Sequence, residues 1–457
     1  MKKNEFEEYI NFALSTGADF AELYYEKTKM TSYKLSDSKL DAINNGRTLG
    51  LGIRVIKNEE CYYTSTNNLD KSNIKLVIEK LLMNFKKGTP RVVKLNNLEN
   101  REFSVKIPHD KYPIEKKKVL LENMDKIARN YSNLVTQVSG GILENTREFT
   151  IANSTGKFIK SNYCTTRIMS TVFVESDGRK ESEFIDYAGG KGYEILNEFN
   201  LEEKILATTK TAIKKLEAKD FKGGELPVVI APGFGAVIFH EACGHGLEAT
   251  SVAHKLSVFS DDYKQKIASE KVTLIDDGTI AGAWGSSLID DEGNNTQKNI
   301  LIEKGILTNF LVDEQHTKMM NHESNGCGRR ESYAYAPTSR MSNTYLAPGT
   351  DKVEDMIKSI DLGVFCERMS GGTVNTSTGD FNFAVETARL IENGELKDYL
   401  KGITLIGNSK EILQNVEMVS DDLLISAGYC GSKSGMIPVT IGQPTIKVSK
   451  ILVGGKE

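Results

Sequence analysis

The chain has 457 residues, and its 58 lysines and arginines stand against 62 aspartates and glutamates, a formal net charge of -4 at pH 7. Hydrophobic residues make up 39% and charged residues 26%, which is typical of a globular protein with about two to four domains. Because lysines and acids are interspersed, no basic block indicates a surface that follows a phosphate backbone, and no nucleic acid partner is expected.

The first module is predicted to contain a helix, a sheet and a second helix. Residues 4–17 read as an amphipathic helix closed by Gly17, and the acids that follow the first lysines exclude a secretory signal. Short strands such as AELYYEK, SYKLSD, LGLGIRVI and CYYTST follow over residues 21–66. Their alternation predicts an antiparallel, half-buried sheet, and a helical pattern returns over residues 72–87.

A second module is predicted after a break near residues 90–112. A helix over residues 113–131 opens at Pro113, and strands follow over residues 135–185, where ANSTGK has the composition of a hairpin turn. A long helix over residues 194–218 then leads to FKGGELP. This Gly/Pro stretch indicates a domain boundary.

The boundary divides the chain into an amino-terminal α+β region (1–222) and a strand-rich carboxyl-terminal domain (223–457). The predicted fold class is therefore α+β, with two amino-terminal α/β modules that contain antiparallel sheets. The longest apolar run, residues 226–239, is too short to span a membrane, so no membrane partner is expected. Similar hairpins are predicted over residues 301–311 and 390–400, which share the pattern LIExGxLxxxL.

The cysteines are scattered and form no C-x-x-C pair. In a large chain without a secretory signal this pattern indicates reduced thiols and a cytoplasmic protein. Each is by default a small buried hydrophobic residue. The six are Cys61, Cys164, Cys243, Cys327, Cys366 and Cys430.

The stretch FHEACGHGLEAT contains two histidines, His240 and His245, with Glu241 directly after the first. A single histidine on an apolar helix is most often a hydrogen-bonded structural residue. Three ionisable groups on one short apolar helix are harder to explain, because their burial costs several kcal/mol unless something binds them. A divalent metal ion provides that compensation.

The spacing of the two histidines does not suit a regular helix. Positions five apart diverge by about 140°, against about 40° for positions four apart. A π-bulge adds one residue to a turn and brings both side chains to one face. Gly244 and Gly246 weaken the helix at this point. The sequence therefore predicts a distorted helix.

Two imidazoles leave a catalytic zinc ion one protein ligand short. Cys243, Glu248 and His254 are candidates in the same stretch. The local sequence does not choose among them.

Five ordered blocks of the carboxyl half resemble the TldD/PmbA family. They read HEACGHGLEA, LIDDEGNNTQKNILIEKGIL, NGCGRRESYAYAPTSRMSNTY, GGTVNTSTGDFNF and YCGSKSGMIPVTIGQPTIKV. The match covers residues 226–455, and the amino half fits the family's first two modules more loosely. The family pairs an active TldD-type subunit with a TldE/PmbA-type subunit that lacks the metal motif. This chain keeps HExxxH and resembles the TldD type.

The resemblance implies a zinc ion (Zn²⁺) held by His240, His245 and Cys430, with Glu241 as the catalytic carboxylate. It also implies a dimer, either a homodimer or a heterodimer with a TldE/PmbA-like subunit. One departure is that this chain reads CGSKSG where family members commonly read CGKxGQ. The number of residues from Cys430 to Gly442 is the same as in the family pattern.

The function implied is a metalloprotease that hydrolyses short or unfolded peptides through a zinc-activated water, with Glu241 as general base. An extended peptide is expected to dock by strand addition. Arg329, Arg330 and Tyr333 are candidates to stabilise the oxyanion, and a structural role is equally compatible with the sequence. Two alternatives stay open: a gyrase-modulator type of regulatory binding protein, and a metal-dependent hydrolase of a non-peptide substrate.

Overall fold

The computed structural model describes residues 1–36, 38–83 and 88–455, which form an α+β fold as predicted. In the described amino-terminal residues a seven-stranded sheet has the order β3-β2-β1-β5-β6-β4, and β7 also pairs with β6. Apart from the parallel pair of β4 and β6, its neighbours are antiparallel. The strands are β1 Phe20–Ser36, β2 Lys39–Lys57, β3 Glu60–Thr66, β4 Glu99–Arg101, β5 Val135–Asn153, β6 Phe158–Ser176 and β7 Arg179–Gly189.

Two pairs of helices cover one face of this sheet. The first pair, α1 and α2, buries Phe6 and Ile74 against Leu51, and the second pair, α3 and α4, buries Leu121 and Ile205 in a separate apolar cluster. The helices are α1 Lys3–Ala13, α2 Lys71–Leu82, α3 Ile114–Tyr131 and α4 Leu201–Lys215. The two modules thus share one continuous sheet.

Several predicted boundaries in this region are wrong. AELYYEK and residues 32–36 of SYKLSD lie in one strand, β1, because its whole length pairs with β2 and most of it with β5. The helix predicted from residue 194 begins at Leu201, where the Asn200 side chain accepts a hydrogen bond from the Glu203 amide; a 3₁₀ turn, Tyr193–Asn197, precedes it. The final residue of SYKLSD (37), residues 84–87 of the second predicted helix and residues 456–457 lie outside the described residues.

The carboxyl-terminal part is rich in strands, as predicted. Its short helices are α5 Val237–Phe239, α6 Ala249–Val252, α7 Thr317–Met320, α8 Val353–Lys358 and α9 Ser409–Asn415. The short strand β8 Lys219–Asp220 lies before the predicted boundary and pairs with β18 of this part. The strands of the carboxyl-terminal part are β9 Gly224–Ile230, β10 Leu274–Asp277, β11 Lys298–Glu303, β12 Ile306–Leu307, β13 Gly328–Arg329, β14 Thr338–Ser339, β15 Asn343–Leu346, β16 Leu362–Val374, β17 Asp380–Glu392, β18 Glu395–Lys401, β19 Thr404–Asn408, β20 Val416–Val419, β21 Leu424–Ser432, β22 Gly435–Gln443 and β23 Ile446–Gly454.

Two larger sheets organise these strands. One has the order β12-β11-β10-β15-β22-β21, so that β21 lies at its edge. The other runs β16-β9-β23-β19-β17-β18-β8, and because β16 also pairs with β17, five of its strands close into a ring. Closure removes free strand edges and encloses apolar side chains such as Val228, Val364 and Phe383.

Both predicted LIExGxLxxxL segments form hairpins. The first joins β11 to β12 through Lys304 and Gly305, and the second joins β17 to β18 through Asn393 and Gly394. All four turn residues have positive φ, which is the conformation that a two-residue hairpin turn requires. The hairpins belong to different sheets.

Charged side chains on the second face of the amino-terminal sheet contact the carboxyl-terminal part. Arg54 binds Glu22 at 2.8 Å and Glu292 at 2.6 Å, and Arg330 binds Glu22 at 2.6 Å. Arg147 lies 3.3 Å from Glu26 and 3.4 Å from Asp291. We call this set the ion network; its members are Glu22, Glu26, Arg54, Arg147, Asp291, Glu292 and Arg330.

No helix in the described ranges is long and apolar enough to cross a membrane.

The described residues also form short 3₁₀ helices. These are Leu14–Thr16, His109–Lys111, Tyr193–Asn197, Phe234–Ala236, His245–Leu247 and Glu314–His316.

Candidate metal centre

The helix that carries the two histidines is distorted where the sequence predicts it. A short α-helical turn, Val237–Phe239, is followed by a π-helical turn, His240–Gly244, and a 3₁₀ turn, His245–Leu247. The wide turn brings the imidazoles of His240 and His245 to one side, with ring centroids 5.2 Å apart and planes at 81°. The predicted π-bulge is confirmed.

Gly244 permits this turn to pack closely. A Cβ atom at Gly244 would lie 1.9 Å from Sδ of Met341, which is fully buried. The glycine therefore lets the distorted helix approach the segment before β15.

A third potential ligand reaches the histidines from β21. Cys430 lies 185 residues beyond His245, and its Sγ is 3.1 Å from Nε2 of that histidine. One ligand atom each from His240, His245 and Cys430 falls within 4.8 Å of the others. We call these three residues the metal centre.

The electrostatics of the three residues favour the thiolate form of Cys430. Burial alone raises the pKa of the Cys430 thiol, but His240 and His245 outweigh it and lower that pKa to about 4. The sulfur is therefore a thiolate at neutral pH, the form that binds metals. Nδ1 of His240 is buried without a hydrogen-bond partner. Two imidazoles and one thiolate fit zinc, and three protein ligands leave one coordination position open.

Glu241 lies beside the metal centre and is the most exposed of the four residues. Its side chain keeps 25% of its accessible surface, and its Oε2 is 3.7 Å from Nε2 of His245. The carboxylate can thus meet both solvent and a group bound at the centre.

Two buried residues behind the ligands have roles that the sequence did not indicate. Glu248, considered as a ligand, instead binds Nδ1 of His245 through Oε2 at 3.1 Å. Carboxylates in this position orient a metal-binding imidazole. Arg340 donates to the Cys430 carbonyl at 2.6 Å, across 90 residues of sequence, and no local pattern marks it.

The other candidate ligands lie elsewhere. Cys243 is fully buried in the apolar core, and burial raises the pKa of its thiol. His254 is exposed and its ring packs edge-on against His316, with centroids 5.6 Å apart.

The three candidates for oxyanion stabilisation make structural contacts. Arg329 donates to the carbonyls of Met341 and Pro438, and Arg330 belongs to the ion network. The backbone amide of Tyr333 donates a hydrogen bond to the Glu26 carboxylate, and the Tyr333 ring packs over Gly50.

Family models match the chain in three consecutive parts. The PmbA/TldA metallopeptidase domain 1 matches residues 21–84, the central domain matches residues 107–219, and the C-terminal domain matches residues 223–455.

Full-length relatives carry consistent names. A metalloprotease TldD homolog from Buchnera aphidicola is 32% identical, with 96% of this chain and 93% of that protein covered. The homolog from Haemophilus influenzae is also 32% identical, with the same coverage. A zinc metalloprotease TldD homolog from Saccharolobus solfataricus is 27% identical and covers 98% of this chain and 99% of its own.

Solved structures share the fold at lower identity. A protein from Thermotoga maritima, described as a modulator of a DNA gyrase, has a TM-score of 0.80 at 19% identity, covering 99% of this chain and 100% of its own. TldE from Thermococcus kodakarensis has a TM-score of 0.76 at 21% identity, with the same coverage.

Proposed function

The chain belongs to the PmbA/TldA metallopeptidase family, and we propose that it is a zinc-dependent peptidase. His240, His245 and Cys430 hold the metal, and Glu241 is the general base. The observation that carries the proposal is the convergence of the three ligand atoms within 4.8 Å, from segments far apart in the sequence. Three ligand atoms this close together can bind one divalent cation, whereas apolar packing gives no reason for them to converge.

The chain's own residues then define the reaction. A bound zinc ion supplies a water of lowered pKa and polarises the peptide carbonyl. The Glu241 carboxylate accepts the proton of the attacking water and delivers it to the leaving amine. Glu248 holds the His245 imidazole in one tautomer, with Nε2 free to face Cys430.

Short or unfolded peptides are the proposed substrates. Cys430 lies on β21, the edge strand of its sheet, and residues 424–427 of this strand line a groove of about 610 Å³. The carbonyls of Gly428 and Cys430 already accept hydrogen bonds from Trp284 and Arg340. An extended peptide that adds to β21 would pair along residues 424–427, and backbone pairing of this kind tolerates many sequences.

The proposed assembly is a dimer, either of two copies or with a TldE/PmbA-like subunit. The shared fold of a solved TldE supports a partner of this type. In a dimer that encloses the centre, unfolded peptides are cut while folded proteins resist cleavage. Light scattering combined with cleavage of one substrate in its folded and unfolded forms tests this; a fully active monomer that cuts folded proteins contradicts it.

Two further proposals concern organisation and location. We place the boundary between the amino-terminal and carboxyl-terminal parts at residues 222/223, where β9 begins beyond Gly223. The six cysteines are free thiols, which supports a reducing compartment such as the cytoplasm.

A regulatory binding protein of the gyrase-modulator type is the second candidate, because solved structures of this fold carry that description. Such an activity would survive both removal of the metal and substitution of Glu241.

The replacement Glu241→Gln tests the main proposal. Glutamine has nearly the same size but cannot accept a proton at neutral pH, so turnover should fall about a hundredfold or more. Zinc per chain and melting temperature should match the wild type. Near-normal cleavage with intact zinc contradicts the proposal, and loss of zinc or of thermal stability assigns Glu241 a structural role instead.

A further inference from the structure

We propose that Arg340 is a positioning residue of the metal centre. It joins the carboxylate behind His245 to the backbone of Cys430, and thereby fixes the distance between the two ligand-bearing segments. The inference rests on the proposed metal centre and adds to it a residue that touches no ligand side chain.

The first half of the argument concerns the Cys430 segment. Arg340 is fully buried; its Nη2 donates to the Cys430 carbonyl at 2.6 Å, and its Nη1 donates to Ser434 Oγ at 2.9 Å and to the Gly435 carbonyl at 3.1 Å. The planar guanidinium therefore spans the turn between β21 and β22. An arginine in such a position fixes geometry that the flexible, single-point lysine cannot reproduce.

The second half concerns His245. Glu248 binds Nδ1 of this histidine through Oε2, while its Oε1 faces Nε of Arg340 at 3.8 Å. Both of these facing atoms are buried, and neither has a hydrogen-bond partner. These two atoms carry opposite charge and face each other, so the carboxylate and the guanidinium hold one another in place. A continuous path thus runs from His245 through Glu248 and Arg340 to Cys430.

The chain offers a matched control in Arg329. This arginine also donates two short hydrogen bonds to backbone carbonyls, at 2.6 Å to Met341 and at 2.7 Å to Pro438. Among the described residues, the hydrogen bonds of Arg329 reach neither Glu248 nor Cys430. Replacement of either arginine by lysine removes a guanidinium fork, but only the change at Arg340 should reach the metal.

The test uses the full-length protein and compares Arg340→Lys, Glu248→Gln, the double variant and Arg329→Lys. Zinc affinity is measured by competition with a chelator, and the thiolate-to-metal absorption is measured on cobalt-loaded protein. Arg340→Lys should weaken zinc binding by about 10–100-fold and shift the cobalt band. Arg329→Lys should leave both close to wild type. The double variant combines Arg340→Lys with Glu248→Gln. Its fold loss of zinc affinity should be smaller than the product of the two single-variant fold losses, because both residues act on one path.

Melting temperatures of the metal-free variants separate loss of fold from loss of positioning. If Arg340→Lys does not fold, Ser434→Ala is used instead, because it removes only one hydrogen-bond partner of Arg340 Nη1. It should change zinc affinity and the cobalt band in the same direction, but less strongly. Equal zinc affinities and equal cobalt spectra for Arg340→Lys and Arg329→Lys overturn the inference. If Arg340→Lys does not fold, a zinc affinity of Ser434→Ala equal to that of the wild type overturns it instead. If instead the wild type binds no zinc, or His245→Ala binds it equally well, the metal centre itself is refuted and the inference falls with it.

Discussion

The ion network and the metal centre both bury ionisable side chains, but they do so in opposite ways. In the network every arginine lies within 3.4 Å of a carboxylate, and Arg54 and Arg147 each bind two. In the metal centre a thiolate meets two imidazoles, and Nδ1 of His240 has no partner. The network joins the two parts of the chain, whereas the centre belongs wholly to the carboxyl-terminal part.

This difference separates structural charges from functional ones. A network in which every arginine is paired with a carboxylate needs no ligand, and removal of one arginine leaves buried carboxylates with less compensation. A set of converging donor atoms that includes a buried imidazole nitrogen without a partner can be stabilised by a cation from outside. Changes in the network should therefore alter stability alone, and changes in the centre should alter metal content and catalysis.

The largest expected effect is that of Cys430→Ala. Because a thiolate ligand is lost, zinc per chain should fall below about a tenth of the wild-type value, and peptide cleavage should fall with it. Cys243→Ala is the control, since that cysteine lies in the core. Metal analysis and cleavage rates check the result; loss of zinc in the Cys243 variant alone would reverse the assignment.

The second prediction addresses the network through Arg54→Met. This change removes the arginine bound to Glu292 and one of the two arginines bound to Glu22, which keeps Arg330. The free energy of unfolding should therefore drop by about 3–5 kcal/mol. Zinc per folded chain should stay the same. Urea unfolding and metal analysis measure the two quantities, with Lys219→Met, which removes an exposed pair with Asp398, as the control. A loss of zinc from folded Arg54→Met protein contradicts the separation of the two regions.

A third, smaller effect is expected for Gly244→Ala. The new methyl group overlaps Met341, and relief of this overlap should cost about 1–3 kcal/mol of stability. Zinc affinity should also fall, because the π-turn between the two histidines must shift. Because Met341→Ala removes the overlapping atoms, Gly244→Ala should cost less stability and less zinc affinity in that variant than in the wild type. An equal cost in the two backgrounds means that the overlap is not the cause.

The smallest expected effect is a pH dependence of stability. Burial outweighs Arg54 and, with the charges of Asp313 and Asp290, raises the pKa of Glu292 above its ordinary value of 4.5. The folded protein therefore keeps a proton that the unfolded chain releases above pH 4.5, and stability should fall as the pH rises from 4.5 through the raised pKa. Urea unfolding across this window measures the slope, which Glu292→Gln should reduce. An unchanged slope in that variant would assign it to another group.

The sequence predicted the shape of the metal helix well, because the cause is local. A five-residue spacing between histidines, with glycines beside the second, has one simple structural solution when both must face one ion. The antiparallel amino-terminal sheet and the hairpins with Lys304–Gly305 and Asn393–Gly394 were predictable for the same reason. Each depends on alternation and on turn residues within a few positions.

Long-range contacts could not be predicted in this way. Cys430 was predicted as a metal ligand only from the family resemblance. The contact of Arg340 with Cys430 and the orienting role of Glu248 became visible only in the structure. The burial of Glu22 and Glu26 within AELYYEK also escaped detection, because the arginines that compensate them come from β2, β5 and a loop before β14. A residue's partners across the fold leave no periodicity in its own neighbourhood.

The 185 residues between His245 and Cys430 also set the order of events on the ribosome. At about 5–20 residues per second, the histidines emerge roughly 10–40 s before the cysteine that completes the centre. During that interval the nascent chain holds two imidazoles and a glutamate without their thiolate. Under the proposed ligand set, cleavage activity becomes available only after the hairpin that carries Cys430 has been synthesised.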